Sequence, residues 1–445
     1  MGFTKGIKMK TKQVLSNAKW IISCKIAQSV IQLIIGMISA RYLGPSNYGL
    51  INYAASIVSF FMPLMQLGLN AILVHELLES PEKEGEIMGT SLLINIFSSV
   101  FCMFGVFGIS YLLNPNEGVT VIVCALYSTS ILFAAIEMMQ YWFQYKLLSK
   151  YSSLAMLFAY ILVSSYKIFL LATKKNIYWF ALSHSIEYGL IGLLLILIYI
   201  KKGSQFFSFS INRAKKMLSK SKHYILSALM VMIFQHTDHI MLTNMSSEKE
   251  NGYYTAAITC AGVIQFVYTA IIDSFRPLIL SSKKENSADF SKHTSRLYGI
   301  ITYLSTAQSI FFTIFASLII YILFGDDYSK AVPVLQMLTW YCAFSYMGSI
   351  RNIWLLAEGK QKYLPLINLS GVFANIILNA AMIPFWGAFG AAAASLLTQI
   401  FTNFIFGFLF KPLKPNNRLL LQGLNPKFII FETKMILKEL KNKKG

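Results

Sequence analysis

Twelve apolar runs, each about as long as a helix needs to cross a ~30 Å hydrocarbon layer, follow one another along this chain with only short polar stretches between them. They cover residues 20–40, 48–73, 87–113, 119–143, 152–171 and 177–200, then 224–245, 253–280, 297–324, 332–356, 364–383 and 388–410. Lipid offers a backbone N–H or C=O no partner, so apolar spans of this length have to be helices that satisfy their own peptide groups. The expected fold class is therefore an all-α polytopic membrane protein. The balance of 56% hydrophobic against 13% charged residues excludes a soluble domain.

Between the sixth and seventh runs lies KKGSQFFSFSINRAKKMLSKSK (201–222), with seven Lys or Arg and no acid. It divides the chain into a first six-helix lobe (1–200), a basic hinge (201–222), a second six-helix lobe (223–410) and a basic tail (411–445). Six is even, so both lobes enter the membrane from the same side, and any repeat has to be parallel, about an axis along the membrane normal. Two matches indicate duplication: WFQYKLLSKY, from Trp142, against WLLAEGKQKY, from Trp354, and NYGLINYAA, from Asn47, against NGYYTAA, from Asn251.

With the N-terminus inside, the inner segments hold 30 Lys and Arg and the outer segments five, the asymmetry of a chain with both termini cytoplasmic. The inner loop HELLESPEKEGE is acidic, but acids weigh little in this rule. The net charge of +20 follows from the same asymmetry and does not call for nucleic acid. The five cysteines (Cys24, Cys102, Cys124, Cys260 and Cys342) sit inside apolar runs without C-x-x-C spacing, as small packing residues. The first run is too long for a signal-peptide core and is expected to be retained as a helix. In the tail, Ile429, Phe431, Met435, Ile436 and Leu440 alternate with lysines, in a pattern open to an interfacial helix or a solvated segment.

The run ISARYLGPSNYGLINYAAS, after the first helix, resembles the signature of polysaccharide-unit flippases, which commonly read Arg-x-Leu-Gly-Pro followed by Tyr-Gly at this turn. FGDDYSKAVPVLQML before the tenth helix, LLAEGKQKYLPLINLSGVFANIILN into the eleventh and IPFWGAFGAAAAS into the twelfth fit the same family in the same order. The family is the polysaccharide-transporter branch of the multidrug/oligosaccharidyl-lipid/polysaccharide exporter (MOP) superfamily, whose fold is MATE-like. The resemblance implies two lobes around a central cavity, a bacterial inner-membrane location, and export of undecaprenyl-diphosphate-linked oligosaccharide units for O-antigen or capsule. The motif residues also have structural work: Gly44-Pro45 makes a tight turn, and Gly387 with 390–394 gives a smooth face for close helix packing.

Ionisable groups inside spans need a partner, a wet cavity or a way out. They are Lys25, Glu137, Lys167, His184, Glu187, His236, Asp238, His239, Asp273, Arg276 and Arg351. A flippase for a diphosphate-linked lipid must shelter negative charge in mid-membrane, and Arg or Lys facing a wet cavity does this. Arg276, Arg351 and Lys25 are the candidate diphosphate ligands. Arg276 lies one turn beyond Asp273, so the two either neutralise each other or present the guanidinium, and Pro277 is expected to open the helix there. Lys167, near the outer end of its run, is expected to snorkel. His236, Asp238 and His239, with Glu187 and Asp273, are the candidates for ion coupling. His236 and His239 share a face, but two ligands do not make a metal site, and no metal or cofactor is expected.

Gly359-Lys360 is followed by Gln361, and no glycine stands five before, so there is no Walker A pattern and an H+ or Na+ gradient is the expected driver. The remaining function classes are a MATE-type drug/cation antiporter, which calls for an acidic cavity, and a membrane enzyme such as a polymerase, which calls for a large outer loop. Intramembrane acids and bases number four each, and no outer loop exceeds about ten residues. The expectation is a non-enzymatic, monomeric flippase working by alternating access, with lipid-linked oligosaccharide and membrane lipid as its partners.

Overall fold

The computed structural model describes residues 2–203, 205–285 and 287–427; the expected interfacial pattern Ile429 to Leu440 lies outside them. The described residues are helical nearly throughout and fall into two compact units, one to Asn244 and one from Met245. The first contains α1 (Gly2–Gln66), α2 (Leu69–Glu79), α3 (Glu84–Leu113), α4 (Gly118–Ser128), α5 (Ser130–Glu137), α6 (Gln140–Tyr145), α7 (Ser149–Ala172), α8 (Ile177–Lys202) and α9 (Ile211–Met245). The second contains α10 (Glu248–Gly262), α11 (Gln265–Glu285), α12 (Ser287–Phe324), α13 (Ala331–Ala357), α14 (Leu364–Ile400), α15 (Phe406–Leu409) and α16 (Lys414–Leu424).

Among the described residues, eight helical stretches are long and apolar enough to cross a membrane, or nine if α10 and the bulk of α11, bent by 45°, count as one. The sequence led us to expect twelve. The difference lies where runs join: Trp20–Glu79 and Gln361–Leu409 each hold two runs, and each contains a glycine with positive φ, Gly44 (69°) and Gly387 (51°). The helix α13, interrupted by Gln336, Thr339, Arg351 and Asn352, is outside the eight. Pro277 does not open its helix as expected. The bend lies upstream, at the break between Gly262 and Gln265, and α11 runs on through Pro277.

The helix α3 shows how such a chain packs when both solvent and core are apolar. Ser91, Asn95, Ser99, Cys102, Val106 and Ser110, spaced three or four apart, are buried, while Phe97, Phe101 and Phe104 stand exposed. Small and polar side chains turn inward, where backbones approach closely and hydroxyls bond to carbonyls, and the bulky aromatics face outward to lipid. The buried face meets Tyr53, Ile57 and Val58 of α1, Val123 and Tyr127 of α4, and Ile131 and Ala135 of α5. All five cysteines are buried, and none of them forms a disulfide among the described residues.

The stretch expected to stand as a hinge is held to the first unit. Lys201 and Lys202 end α8, and 205–210 then cross the start of α3: Gly85 N–H donates to Gln205 Oε1 (2.9 Å), Ser208 N–H to Gly85 O (3.1 Å), and Ser210 N–H to Thr90 Oγ1 (3.1 Å). A Cβ on Gly85 or Gly89 would lie 2.2 or 2.5 Å from the strap's carbonyl oxygens, so only glycine admits it. The acidic loop then meets the basic stretch. Arg213 bridges Glu76 (3.5 Å) and Glu86 (3.3 Å), and Lys220 bonds Glu76, 1% exposed, and Glu79. The bond to Glu76 holds the Lys220 ammonium above the ordinary lysine range. A raised lysine stabilises fully at neutral pH and loses its contribution only as pH climbs through that elevated value. A further anchor, Glu84, accepts from Trp142 Nε1 (2.7 Å) and pairs with Lys146 (2.6 Å).

In the second unit, Asn375 and Asn379 line the buried side of α14, where Asn379 Nδ2 donates to Asn375 Oδ1 (3.1 Å). After the Gly387 break, Ala388, Ala391, Ala392 and Ala394 are buried completely or nearly so, the close-packed face the sequence indicated. Glu250 of α10 caps the restarted helix, accepting from Ala388 N–H (2.8 Å). At the end of α14 the ladder widens to a π-turn over Phe401–Ile405. Such a turn frees carbonyls, and Arg351, 6% exposed on α13, takes one. Its Nη1 donates to Thr402 O (3.0 Å) and Asn403 Oδ1 (2.8 Å), and its Nη2 to Asn352 Oδ1 (3.3 Å). Gly348, one turn earlier, leaves room for Asn403, whose Oδ1 would lie 2.6 Å from a Cβ there.

Two substitutions test this. Glu84→Ala strands a buried indole N–H and a lysine and is expected to destabilise by about 2–3 kcal/mol, with Glu84→Gln losing less because it keeps the Trp142 bond. Arg351→Ala unpairs the π-turn and is expected to destabilise by about 3 kcal/mol or more, only partly recovered by Lys. Thermal unfolding in detergent reads both.

Candidate functional site

The candidate charges have different surroundings in the two units. In the second, Tyr268 of α11 stacks on Tyr346 of α13 (centroids 4.2 Å apart), and about two turns further Arg276 lies half-exposed. Arg276 Nη2 contacts Asp273 Oδ1 at 3.1 Å, and both side chains are 52% exposed. The i,i+3 spacing thus produces the internal ion pair, and it also leaves the guanidinium open on its remaining edges. Arg351 is different: its two terminal nitrogens are committed to the π-turn and to Asn352.

In the first unit, Lys25 is exposed on α1. His236 of α9 faces the same helix: its Nδ1 lies 3.3 Å from Ser56 Oγ, and its ring meets Phe60 edge-on at 6.4 Å. His239 follows on that face, 6.3 Å from His236, and Asp238 is 7% exposed. Among the described residues, no three His, Cys, Asp or Glu converge as a metal site would require.

A second group of charges gathers between α5, α7 and α8. Lys167 lies within electrostatic reach of Glu187 and His184, and Glu187 within reach of Glu137. His184 packs against Tyr127, centroids 4.4 Å apart. Lys167, expected to snorkel, thus also has an acid on the neighbouring helix within its electrostatic reach. Glu137, one of the ionisable groups inside the runs, has Lys146 as the nearest base in sequence. Lys146 is taken by Glu84, and Glu137 lines a small cavity of about 20 Å³ together with Gln66, Asn70, Asn95, Gln140 and Tyr141. A survey restricted to charges passes over these amides; the signal that finds them is Asn and Gln inside apolar runs.

Comparison with known proteins adds the family. The family model described as "Polysaccharide biosynthesis protein" matches residues 14–281, more than half of the chain. The capsular polysaccharide biosynthesis protein CapF of Staphylococcus aureus is 21% identical over 411 residues, covering 89% of this chain and 99% of that protein. A putative O-antigen transporter of Salmonella typhimurium is 20% identical over 194 residues, 38% of this chain and 44% of that one. Among solved structures, the lipid II flippase MurJ in an inward closed conformation superposes with a TM-score of 0.66 at 18% identity, over 93% of each chain. An inward-facing MATE-family multidrug resistance transporter of the MOP superfamily gives 0.66 at 15% identity, over 90% of this chain and 96% of that one. At such identities the likeness concerns the fold, while the sequence match is to a family, and the chain belongs to the polysaccharide biosynthesis protein family with the fold of the MOP exporters.

Proposed function

We propose that this multi-span membrane protein is a flippase moving undecaprenyl-diphosphate-linked oligosaccharide units across the bacterial inner membrane for O-antigen or capsule. In this reading the chain crosses twelve times with both termini cytoplasmic, in two six-helix lobes. The division at Gly44 and Gly387 and the inclusion of α13 favour that count. Family membership and the named relatives support transport of a polysaccharide precursor and make a non-enzymatic role the natural one. Proteins of this fold have been captured both inward-facing and outward-facing, as alternating access requires.

The observation that carries the reading on this chain is Arg276, a half-exposed guanidinium inside an apolar helix. In a wet environment an ion pair this exposed is worth about 0.2–1 kcal/mol. A diphosphate offering charge-assisted bonds of about 1.5–3 kcal/mol each displaces Asp273 from it. Lys25, exposed on α1, is the candidate cation of the first unit, taken separately. Arg351 is buried with its own partners and is assigned to holding the π-turn in shape. H+ or Na+ drives the cycle, with His236, Asp238, His239, Glu187 and Asp273 among the groups able to answer an ion.

The second reading, a MATE-type drug/cation antiporter, rests on the multidrug transporters that share the fold. One experiment separates them. In a strain lacking its own flippase, Arg276→Ala is expected to lower surface glycan about tenfold or more at unchanged protein level, while Arg276→Lys keeps part of the export. Full export by Arg276→Ala removes the anion site. Drug resistance conferred without glycan export selects the antiporter.

A further inference from the structure

The cavity beside Glu137 lies wholly within the first unit, where two interrupted helices meet. The chain breaks between Gln66 and Leu69, with Leu67 and Gly68 at φ 47° and 69°, and again between Glu137 and Gln140. Both breaks fall inside stretches apolar enough to cross the membrane. Turn hydrogen bonds answer carbonyls at both breaks, Pro63 and Gly68 accepting at the first and Ile136, Met138 and Met139 at the second, so what the breaks add is the negative end of a helix dipole and the cation-attracting groups are side chains.

The side chains complete an oxygen-rich wall. Asn70 Nδ2 donates to Gln66 Oε1 (2.9 Å), and the Asn70 amide is also within hydrogen-bond reach of the Tyr141 hydroxyl. Asn95, 2% exposed on α3, gives its Nδ2 to the Met138 sulfur (3.2 Å), and its Oδ1 is buried without a hydrogen-bond partner. An orphaned amide oxygen in an apolar interior is unfavourable by roughly 1–3 kcal/mol unless something positive or protic meets it. Beside it stands Glu137, which forms no ion pair among the described residues and whose acidic neighbour is Glu187. A carboxylate in an apolar span with an acid instead of a base for company needs a positive charge. At about 20 Å³ the space holds one water-sized occupant.

We propose that this cavity binds a single dehydrated Na+, held by the Glu137 carboxylate, Asn95 Oδ1 and the amide oxygens around the two helix breaks, as a coupling-ion site in the first unit. Binding stands apart from the flippase reading; only its coupling to export rests on that reading.

The test uses the purified full-length protein in detergent, melted in NaCl or in choline chloride at equal ionic strength. Wild type is expected to show a saturable Na+-dependent rise of roughly 2 °C or more. Glu137→Gln and Asn95→Leu are expected to weaken the apparent Na+ affinity at least tenfold, while Glu117→Gln, at an exposed position, keeps it. Should Glu137→Gln fail to fold, Asn95→Leu and Asn70→Leu carry the same comparison. Equal melting of wild type in the two salts, or an undiminished Na+ response in the cavity variants, overturns the site. A melting temperature that follows pH and ignores Na+ assigns the carboxylate to a proton and overturns it as well. Wild type that answers Na+ but restores no glycan export leaves the ion site standing and refutes the flippase.

Discussion

Hydrocarbon gives the peptide group nothing to bond to, and the whole architecture follows from that constraint. Each helix satisfies itself along its length, so attention falls on the places where a helix stops. At several of the interruptions a side chain or a cavity stands ready: Glu250 where α14 restarts after Gly387, Arg351 at the π-turn, and the amides and Glu137 where α1 and α5 end.

Charge follows the same logic in two forms. At the ends of α2 and α3, acids and bases meet in a dense group, Glu76, Glu79 and Glu86 against Arg213 and Lys220, which fastens α9 to the first unit. Deeper in, charges are few and unequal in their surroundings. Arg351 is buried with both terminal nitrogens bonded, Arg276 is paired only on one edge, and Glu137 shares its cavity with neutral amides and has another acid nearby. Groups with incomplete partners are the ones free to meet a substrate or an ion.

Much of the fold was legible in one dimension. Apolar length gave the helices, Gly44-Pro45 gave a turn, and Gly387 with the small residues after it gave the close-packed face, although the break at Gly387 itself went unread. What stayed hidden depended on contacts between distant positions. The basic stretch after α8 looked like a free hinge because its partners, the acids of the α2–α3 loop, lie more than a hundred residues earlier. Arg351 looked like a ligand because a π-turn 51 residues away has no sequence signature. Pro277 suggested a bend that the helix places instead at Gly262. The Glu137 cavity was half visible: the carboxylate announced itself, but neutral Asn and Gln in apolar runs do so only once they are seen to converge.

The bond from Ala388 N–H to Glu250 spans 138 residues. During synthesis the opening helix of the second unit emerges long before the segment it caps, so its carboxylate stays without this N–H while the intervening helices are made. The first helix of that unit therefore completes its contacts only when the last span arrives, a closure between the two ends of the unit that no local stretch of sequence announces.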